Sequence, residues 1–445
     1  MRFKNPEFGV AKPLLISTRW FHLEGGNNGY VLVGRTYIHV AITRLHAGLL
    51  SKARVNLFLQ QNTMQLLRSL LILPLALREA LAYTTLADES LQSLSVASDD
   101  FSITNDDGLL APILIPRVPG TAGNAKVLQH FHDFFANNLP EWKLSFQNSS
   151  STTPTSGGKE LPFRNLIATR DPPWVEGEGE VGRLALVAHF DSKLTPKNFI
   201  GATDSAAPCA MLLHAARGID AALTAKWTAI EAKGERDEFD EHKGIQILLL
   251  DGEEAFATWT HTDSVYGARA LAEEWESTVN PAMSTFKNPL ESIDLFVLLD
   301  LLGATNPAVP SYFKTTHWAY KHMASVEERL RKANKLKSKP EGNFLWESDK
   351  DEHDRWSGGM VEDDHIPFMA RGVDILHIIP SPFPDVWHTS RDDGKHLDLD
   401  VVEDWAMITT AFAAEWMELE GYMQSDKESI KRSKRTMNEH DRTEL

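Results

Sequence analysis

The stretch that decides the fold is Ile245-Gln246-Ile247-Leu248-Leu249-Leu250, which runs directly into Asp251-Gly252-Glu253-Glu254. A short run that is apolar at every position but Gln246 is typical of a central strand that is buried on both faces, and it places the two glutamates at the carboxyl end of that strand. In open α/β sheets, ligands and chemistry collect at this edge. Because neighbouring side chains on extended backbone point in different directions, one carboxylate can hold a metal while the other transfers a proton. The alternative is that the two glutamates lie in a solvated loop without a function, as most isolated pairs do. The surrounding sequence has to decide between these two interpretations.

Further apolar runs alternate with helical patterns on both sides of this strand. Strands are predicted at 184–188, 295–299 and 375–379, and helices at 206–216, 268–276 and 401–420. Pro208 falls in the first turn of its helix, where a missing N–H costs nothing. The alternation predicts an α/β fold, a mostly parallel, doubly wound sheet with helices on both faces.

Three polar stretches interrupt the alternation. Residues 231–243 and 332–355 are dense in charge, so we expect exposed loops or the margin of a lid, with His242 and His353 in solvent. Residues 149–159 are rich in Ser, Thr and Gly and predict a loop.

Composition limits the classes of function. The chain has 445 residues, which suits one large α/β domain with extensions, and its net charge of −17 argues against nucleic acid as a partner. Its single cysteine, Cys209, excludes an intrachain disulfide and a cysteine-based zinc site. Any metal must therefore be held by His, Asp and Glu.

The two ends of the chain differ from its centre. Residues 1–63 carry eight Lys and Arg against two glutamates and predict a basic extension of doubtful structure. Residues 64–87 have the parts of a secretory signal, and their apolar core is too short to span a bilayer. The hypothesis is a secreted protein without a stable membrane span, for which an amphipathic helix on the domain is the alternative. The sequon at Asn148 fits secretion only weakly. Residues 425–445 predict disorder.

Acidic and imidazole groups follow the predicted strands one after another. They are His189, Asp204, Glu253, Glu254, Asp300 and His388. Each is weak evidence alone, since a strand-end aspartate is often a helix cap and a lone histidine is often structural. Together, carboxylate oxygens with one or two imidazoles and no thiolate suit a zinc site that keeps an open position.

At these residues the chain resembles the glutaminyl-peptide cyclotransferases, a branch of the zinc aminopeptidase fold. The matching segments are His189-Phe190-Asp191-Ser192-Lys193, residues 201–209 (GATDSAAPC), Asp251-Gly252-Glu253-Glu254-Ala255-Phe256 with Trp259, residues 299–304 (LDLLGA), residues 363–368 (DDHIPF), residues 380–388 (PSPFPDVWH) and Arg117-Val118-Pro119-Gly120. The likeness covers roughly 95–422, which we expect to be a single catalytic domain.

The resemblance implies a role for each site residue. Asp204, Glu254 and His388 would hold one Zn²⁺, and Glu253 would be the proton shuttle. Asp300 and Asp363 would form an acidic hydrogen-bond network, with His377 nearby. Trp259, Phe383 and Trp387 would wall the substrate pocket. The implied substrates are peptides or proteins with an N-terminal glutamine, and we expect a monomer.

Elementary chemistry agrees with these roles. To cyclise an N-terminal glutamine, the free α-amine must attack the side-chain amide carbonyl of the same residue and release ammonia. Both reacting groups are already in one residue, so the enzyme has to fold them together and stabilise charge. Zinc polarises the carbonyl, and a carboxylate moves the proton.

The chain departs from the family pattern at two positions. Glu362 stands where the family usually has glutamine, which adds a carboxylate beside Asp363. Ala188 stands where secreted animal relatives carry a cysteine that pairs with the one matching Cys209, so we expect Cys209 to behave as a small buried hydrophobe.

Two rival functions remain open. In a two-zinc aminopeptidase, His189 and Asp300 would hold a second metal, Asp204 would bridge the two ions and Glu253 would activate a water molecule. Ligand identity does not separate this hydrolase from the cyclase, although the motifs around His365 and Trp387 favour the cyclase. The other rival is a receptor-like domain that binds no metal.

Overall fold

A six-stranded sheet carries the fold, and the strand that includes residues 245–250 lies inside it. In the computed structural model, which describes residues 83–97, 99–234, 242–351, 353–356 and 361–423, the strands are β1 (Lys143–Thr152), β2 (Glu160–Arg170), β3 (Val181–His189), β4 (His242–Leu250), β5 (Ile293–Leu299) and β6 (Ile375–Ile378). Their order is β1-β2-β4-β3-β5-β6. The four strands β4, β3, β5 and β6 are mutually parallel, whereas β2 pairs antiparallel with both β1 and β4. The predicted mostly parallel sheet is confirmed.

Helices cover both faces of this sheet. They are α1 (Asp88–Ser93), α2 (Ala122–Asn138), α3 (Ala207–Lys233), α4 (Tyr266–Ser277), α5 (His317–Lys332), α6 (His365–Met369) and α7 (Leu399–Trp416). One apolar cluster joins α2, α3, α5 and α7 to one face of the sheet, and a second joins α4 and α6 to the other face. No helix in the described part of the chain is long and apolar enough to cross a membrane.

Strand β3 shows why the strands at the centre of the sheet read as continuous apolar runs. Leu184 and Leu186 belong to the cluster on one face, and Ala185 and Val187 belong to the cluster on the other. Successive side chains of a strand point to opposite faces, so in a strand covered on both sides nearly every side chain is buried and apolar. This pattern identified the central strands from sequence.

The prediction of a loop at 149–159 was wrong in its first part, because residues 149–152 complete β1. Strand β1 lies at the edge of the sheet, and Gln147 is its only buried residue. An edge strand with a polar, solvated surface lacks the apolar alternation that identifies a strand. The predicted helix at 206–216 is also longer than expected, since α3 continues to Lys233 and ends at Gly234, which adopts a φ of +67°.

The two charged stretches, which were expected to be exposed loops, also contain helical, strand and buried residues. Residues 231–233 belong to α3 and residues 242–243 to β4, while 235–241 lie outside the described residues. In the second insertion, Phe344 and Leu345 are buried, and the ring of Phe344 stacks on Trp405 at 5.1 Å. This apolar pair ties the charged stretch to the domain. His353 is exposed, as predicted, whereas His242 at the start of β4 is half-buried.

The packed structure includes residues before position 95. The ring of Tyr83 stacks on His322 in α5, and the backbone N–H of Leu86 donates to the carboxylate of Glu415 at 2.7 Å. The predictions for 1–63 and 425–445, and for all of 64–87 except its last five residues, lie outside the described residues.

Candidate active site

The predicted site residues converge at the carboxyl edge of the parallel strands. His189 ends β3, the glutamate pair follows β4, and Asp300 follows β5. Asp204 comes from the turn at 202–206 that leads into α3, and His388 comes from the loop after β6. Because parallel strands present the same end at one edge, residues far apart in sequence meet there.

Asp204, Glu254 and His388 form a group that fits a metal ion. One ligand atom from each lies within 4.8 Å of the other two, and His388 Nε2 is 3.4 Å from Asp204 Oδ2 and 3.5 Å from Glu254 Oε2. Both carboxylates are buried, and Asp204 Oδ2 and Glu254 Oε1 have no hydrogen-bond partner. A buried carboxylate oxygen without a partner is costly, and a divalent cation would satisfy both. The donor set suits zinc.

The carboxylates of this group shift the pKa values of their neighbours. Burial, and then the neighbouring Asp204, raise the pKa of Glu254. Burial alone would lower the pKa of His388, but its contacts with Asp204 and Glu254 raise it to about 9. Lys193 Nζ also lies 3.1 Å from Glu254 Oε2. Lys193 and His388 therefore both lie against the carboxylate of Glu254.

A second group consists of His189, Asp204 and Asp300. His189 Nε2 lies 3.0 Å from Asp204 Oδ1 and 3.4 Å from Asp300 Oδ1. Burial would lower the pKa of His189, yet the contacts with Asp191, Asp204 and Asp300 raise it well above its usual value. Asp300 Oδ1 also accepts hydrogen bonds from Ser205 Oγ and from the backbone N–H of Leu301. Protein donors thus already engage this oxygen of Asp300.

Glu253 lies among buried acids. Burial, together with the charges of Asp363 and Glu254, raises its pKa well above the usual range, although His189 acts in the opposite direction. The pKa of Asp363 is likewise raised, by burial and then by Asp300. Asp363 Oδ2 lies 2.7 Å from His377 Nε2, and burial lowers the pKa of His377 to about 4. Burial therefore favours the protonated form of these acids and the uncharged form of His377.

Asp191 is a functional residue to which sequence reasoning gave no role. Its Oδ1 accepts from the backbone N–H of Glu253 at 3.0 Å, and its Oδ2 accepts from that of Glu254 at 3.2 Å. The turn before the pair also needs glycine. Gly252 adopts a φ of +77°, and a Cβ there would lie 2.3 Å from the ring of Phe163. The position of Asp191 two residues after His189 was the available signal.

Two further residues shape the turn that carries Asp204. Arg117 is buried, and its guanidinium donates to the backbone carbonyls of Phe190, Ile200, Gly201 and Asp204. Asp392 accepts from the backbone N–H of Thr203 at 2.8 Å and from its hydroxyl at 3.0 Å. Neither contact is readable from sequence, because each joins segments that are distant along the chain.

The aromatic residues expected in the pocket wall lie at two places. The Trp387 ring stacks on His388 at 4.0 Å, packs against Phe383 at 4.8 Å and is 38 % exposed. Trp259 is half-buried in the loop after the glutamate pair. His377, expected near the acidic network and the substrate pocket, is buried in β6 with its Nε2 2.7 Å from Asp363 Oδ2.

Cys209 is a buried free thiol, as predicted. It donates to the backbone carbonyl of His189 at 3.1 Å, and burial raises its pKa to about 12. The thiol therefore packs as a small hydrophobe and is no nucleophile.

The chain is similar to known proteins over most of its described residues. The model of peptidase family M28 matches residues 165–413. A glutaminyl-peptide cyclotransferase-like protein of Bos taurus is 38 % identical over 70 % of this chain and 74 % of its own length. A glutaminyl-peptide cyclotransferase of Gloydius blomhoffii is 37 % identical, over 70 % and 80 %. The crystal structure of Macrostomum lignano glutaminyl cyclase superposes with a TM-score of 0.55 at 30 % identity and covers 74 % of this chain and 91 % of its own.

Proposed function

Because the chain belongs to peptidase family M28 and, within it, to the glutaminyl-peptide cyclotransferases, we propose that it cyclises the N-terminal glutamine of peptides and proteins to pyroglutamate with release of ammonia. The observation that carries the proposal for the site is the grouping of Asp204, Glu254 and His388 directly beside Glu253. The metal ligand Glu254 and the proton carrier Glu253 are then adjacent residues of one turn.

Glu253 is the proton carrier in this proposal. A bond forms between the substrate α-amine and its γ-carbonyl carbon, and the bond to the amide nitrogen breaks. Glu253 takes the proton that the amine loses and delivers it to the departing nitrogen, which leaves as ammonia. Its raised pKa suits a group that must both accept and donate a proton near neutral pH.

The remaining residues bind and orient. Asp204, Glu254 and His388 would hold a zinc ion, which when bound supplies Lewis-acid polarisation of the γ-carbonyl. Asp363 lies within electrostatic reach of Glu253, and Asp300 within reach of Asp363, so their carboxyl oxygens would accept hydrogen bonds from the substrate amine. Trp259, Phe383 and Trp387 would exclude water from the folded glutamine side chain.

We propose one metal ion rather than two. Asp300, which a second ion would need together with His189, already accepts from Ser205 Oγ and Leu301 N. The aminopeptidase alternative would have to use the other carboxylate oxygen of Asp300, Oδ2, and to replace the contact between His189 Nε2 and Asp204 by a bond to the metal.

A paired substrate assay tests the function. The purified protein is incubated with a glutamine-initiated peptide and, separately, with a leucine-initiated peptide of the same remaining sequence. Cyclisation predicts ammonia and a blocked N-terminus from the first and no free leucine from the second. Free leucine would select the two-metal aminopeptidase, and silence with both peptides would select a binding domain. Metal analysis of the same sample counts the ions.

We also propose that the protein enters the secretory pathway and acts as a monomer. The signal-like pattern at 64–87 supports the first part, and Asn148 in its sequon is exposed on the edge strand β1. The metal-binding group of Asp204, Glu254 and His388 is formed within one chain and needs no ligand from a second copy. N-terminal sequencing of the native protein and its mass in solution are the tests.

A further inference from the structure

We propose that Glu362 selects the residue that follows the N-terminal glutamine, favouring lysine or arginine there and disfavouring aspartate or glutamate. The inference rests on the proposed function and names the class of substrate: glutamine-initiated peptides with a basic second residue. Its support is the position of one exposed carboxylate beside a buried site, together with the contact that holds it there.

Glu362 lies at the rim of the proposed site. The next residue, Asp363, is one of the buried acids, whereas Glu362 itself is exposed. The preceding residue, Val361, packs against the same small apolar cluster as Phe383. Glu362 therefore lies between the acids that would receive the substrate amine and the loop that carries the aromatic wall.

A hydrogen bond holds this carboxylate in place. Trp259 Nε1 donates to Glu362 Oε2 at 2.9 Å, and this contact joins the loop after the glutamate pair to the segment before α6. The other oxygen, Oε1, makes no hydrogen bond to any described residue, and the residue is exposed. A charge that is already oriented loses less side-chain entropy when a ligand binds than a freely rotating one.

The charge of Glu362 is not neutralised by the protein around it. No Lys, Arg or His among the described residues forms an ion pair with Glu362. Lys193, the cation at the metal group, is engaged with Glu254 at 3.1 Å. The wall loop adds another exposed acid, Asp385. The exposed cation of the same loop, Arg391, donates to the backbone carbonyl of Asp385 at 3.3 Å, so Glu362 is left as a charge without an ion-pair partner among the described residues where a bound peptide leaves the site.

The direction of the peptide gives this charge its function. The glutamine must reach the buried acids and the metal group, so the second residue is the first one that lies at the rim. A cationic side chain there meets Glu362, and an anionic one is repelled. Ion pairs at exposed positions change binding only modestly, so we expect an effect of about 1.5- to 5-fold for each charge.

The test compares kcat/KM for three glutamine-initiated peptides that differ only in a second residue of Lys, Ala or Glu. The variant Glu362→Gln removes the charge and keeps an acceptor for Trp259 Nε1. Glu291→Gln is the matched control, because Glu291 is exposed just before β5, at the opposite edge of the sheet. Each assay is run at low salt and at about 1 M salt, where charges are screened beyond about 3 Å.

We expect the wild-type protein and Glu291→Gln to have a higher kcat/KM for the peptide with Lys than for the peptide with Glu. The substitution Glu362→Gln, or high salt, should reduce the ratio of these two values by about 1.5- to 5-fold for each charge. An unchanged ratio in Glu362→Gln, or an equal change in Glu291→Gln, would overturn the role of Glu362. The proposed function fails separately, if the wild-type protein cyclises none of the three peptides.

Discussion

The carboxylate of Asp191 accepts a hydrogen bond from the backbone N–H of Glu253 at 3.0 Å. Its second oxygen accepts from the next backbone N–H, so a single buried side chain at the end of β3 fixes the turn at the end of β4. The glutamate side chains diverge from this turn toward the metal group and the acids. Asp191 is thus a positioning residue that acts through two backbone amides and through its contact with His189 Nδ1 at 3.3 Å.

Asp191→Asn tests this relationship. An amide keeps one acceptor oxygen and places an NH₂ group opposite the other N–H, so one of the two backbone bonds is lost. Substituting a residue that orients a metal ligand typically lowers metal affinity by about 10- to 100-fold. We expect weaker zinc binding in chelator competition and a lower kcat at saturating zinc. The control is Asp171→Asn, which removes an ion pair with Arg183 near the start of β3. Wild-type zinc affinity and kcat in Asp191→Asn would contradict the role.

Glu253→Gln and Glu254→Gln separate proton transfer from metal binding. The two substitutions are chemically identical and fall on adjacent residues. We expect Glu253→Gln to lower kcat by about 10²- to 10⁴-fold with zinc content unchanged, since only the proton carrier is lost. Glu254→Gln should lose zinc as well as activity. The measurements are turnover with a glutamine-initiated peptide and metal content after dialysis. Zinc loss in Glu253→Gln would show that the roles are reversed.

Glu415→Gln should destabilise the domain. The fully buried carboxylate lies 2.7 Å from Arg329 Nη2 and 2.6 Å from His322 Nε2, and it accepts from Leu86 N. Removing one partner of a buried ion pair costs about 3 kcal/mol in the free energy of unfolding, measured by chemical denaturation.

Glu420→Gln is the control for Glu415→Gln, because Glu420 accepts only at an exposed position, from Ala87 N. We expect a change within about 0.5 kcal/mol for it. Equal effects of the two substitutions would contradict the assignment of Glu415 as the group that holds residues 83–87 against α7.

His322 should make stability depend on pH. Burial lowers its pKa below 6.5, although Glu415 acts in the opposite direction. The folded protein therefore binds this proton more weakly than the unfolded chain, and stability is lost as the pH falls below 6.5.

We expect His322→Gln to flatten the decline in the free energy of unfolding between about pH 7.5 and 5.5. The variant can still donate to Glu415, and His353→Gln at an exposed position is the control. Parallel pH profiles for His322→Gln and the wild-type protein would show that His322 does not contribute.

How far the sequence predicts the fold depends on where each segment lies in the sheet. Residues 184–188 and 245–250 were identifiable because burial on both faces leaves only apolar positions. Strand β1 was missed because its edge position leaves it mostly solvated. Phe344 and Leu345 were overlooked for the opposite reason, since a charged stretch hid two buried side chains.

The sequence by itself determined the donor types of the site and the strand ends that carry them. The donors are carboxylates and imidazoles that follow the apolar runs, and the chain has no cysteine other than Cys209. Only the tertiary structure decided which of them meet. His388 reaches Asp204 and Glu254 across the sheet edge, Asp191 fixes the turn of the glutamate pair, and burial raises the pKa of Glu253. Distances and desolvation arise from long-range packing, which local sequence patterns do not contain.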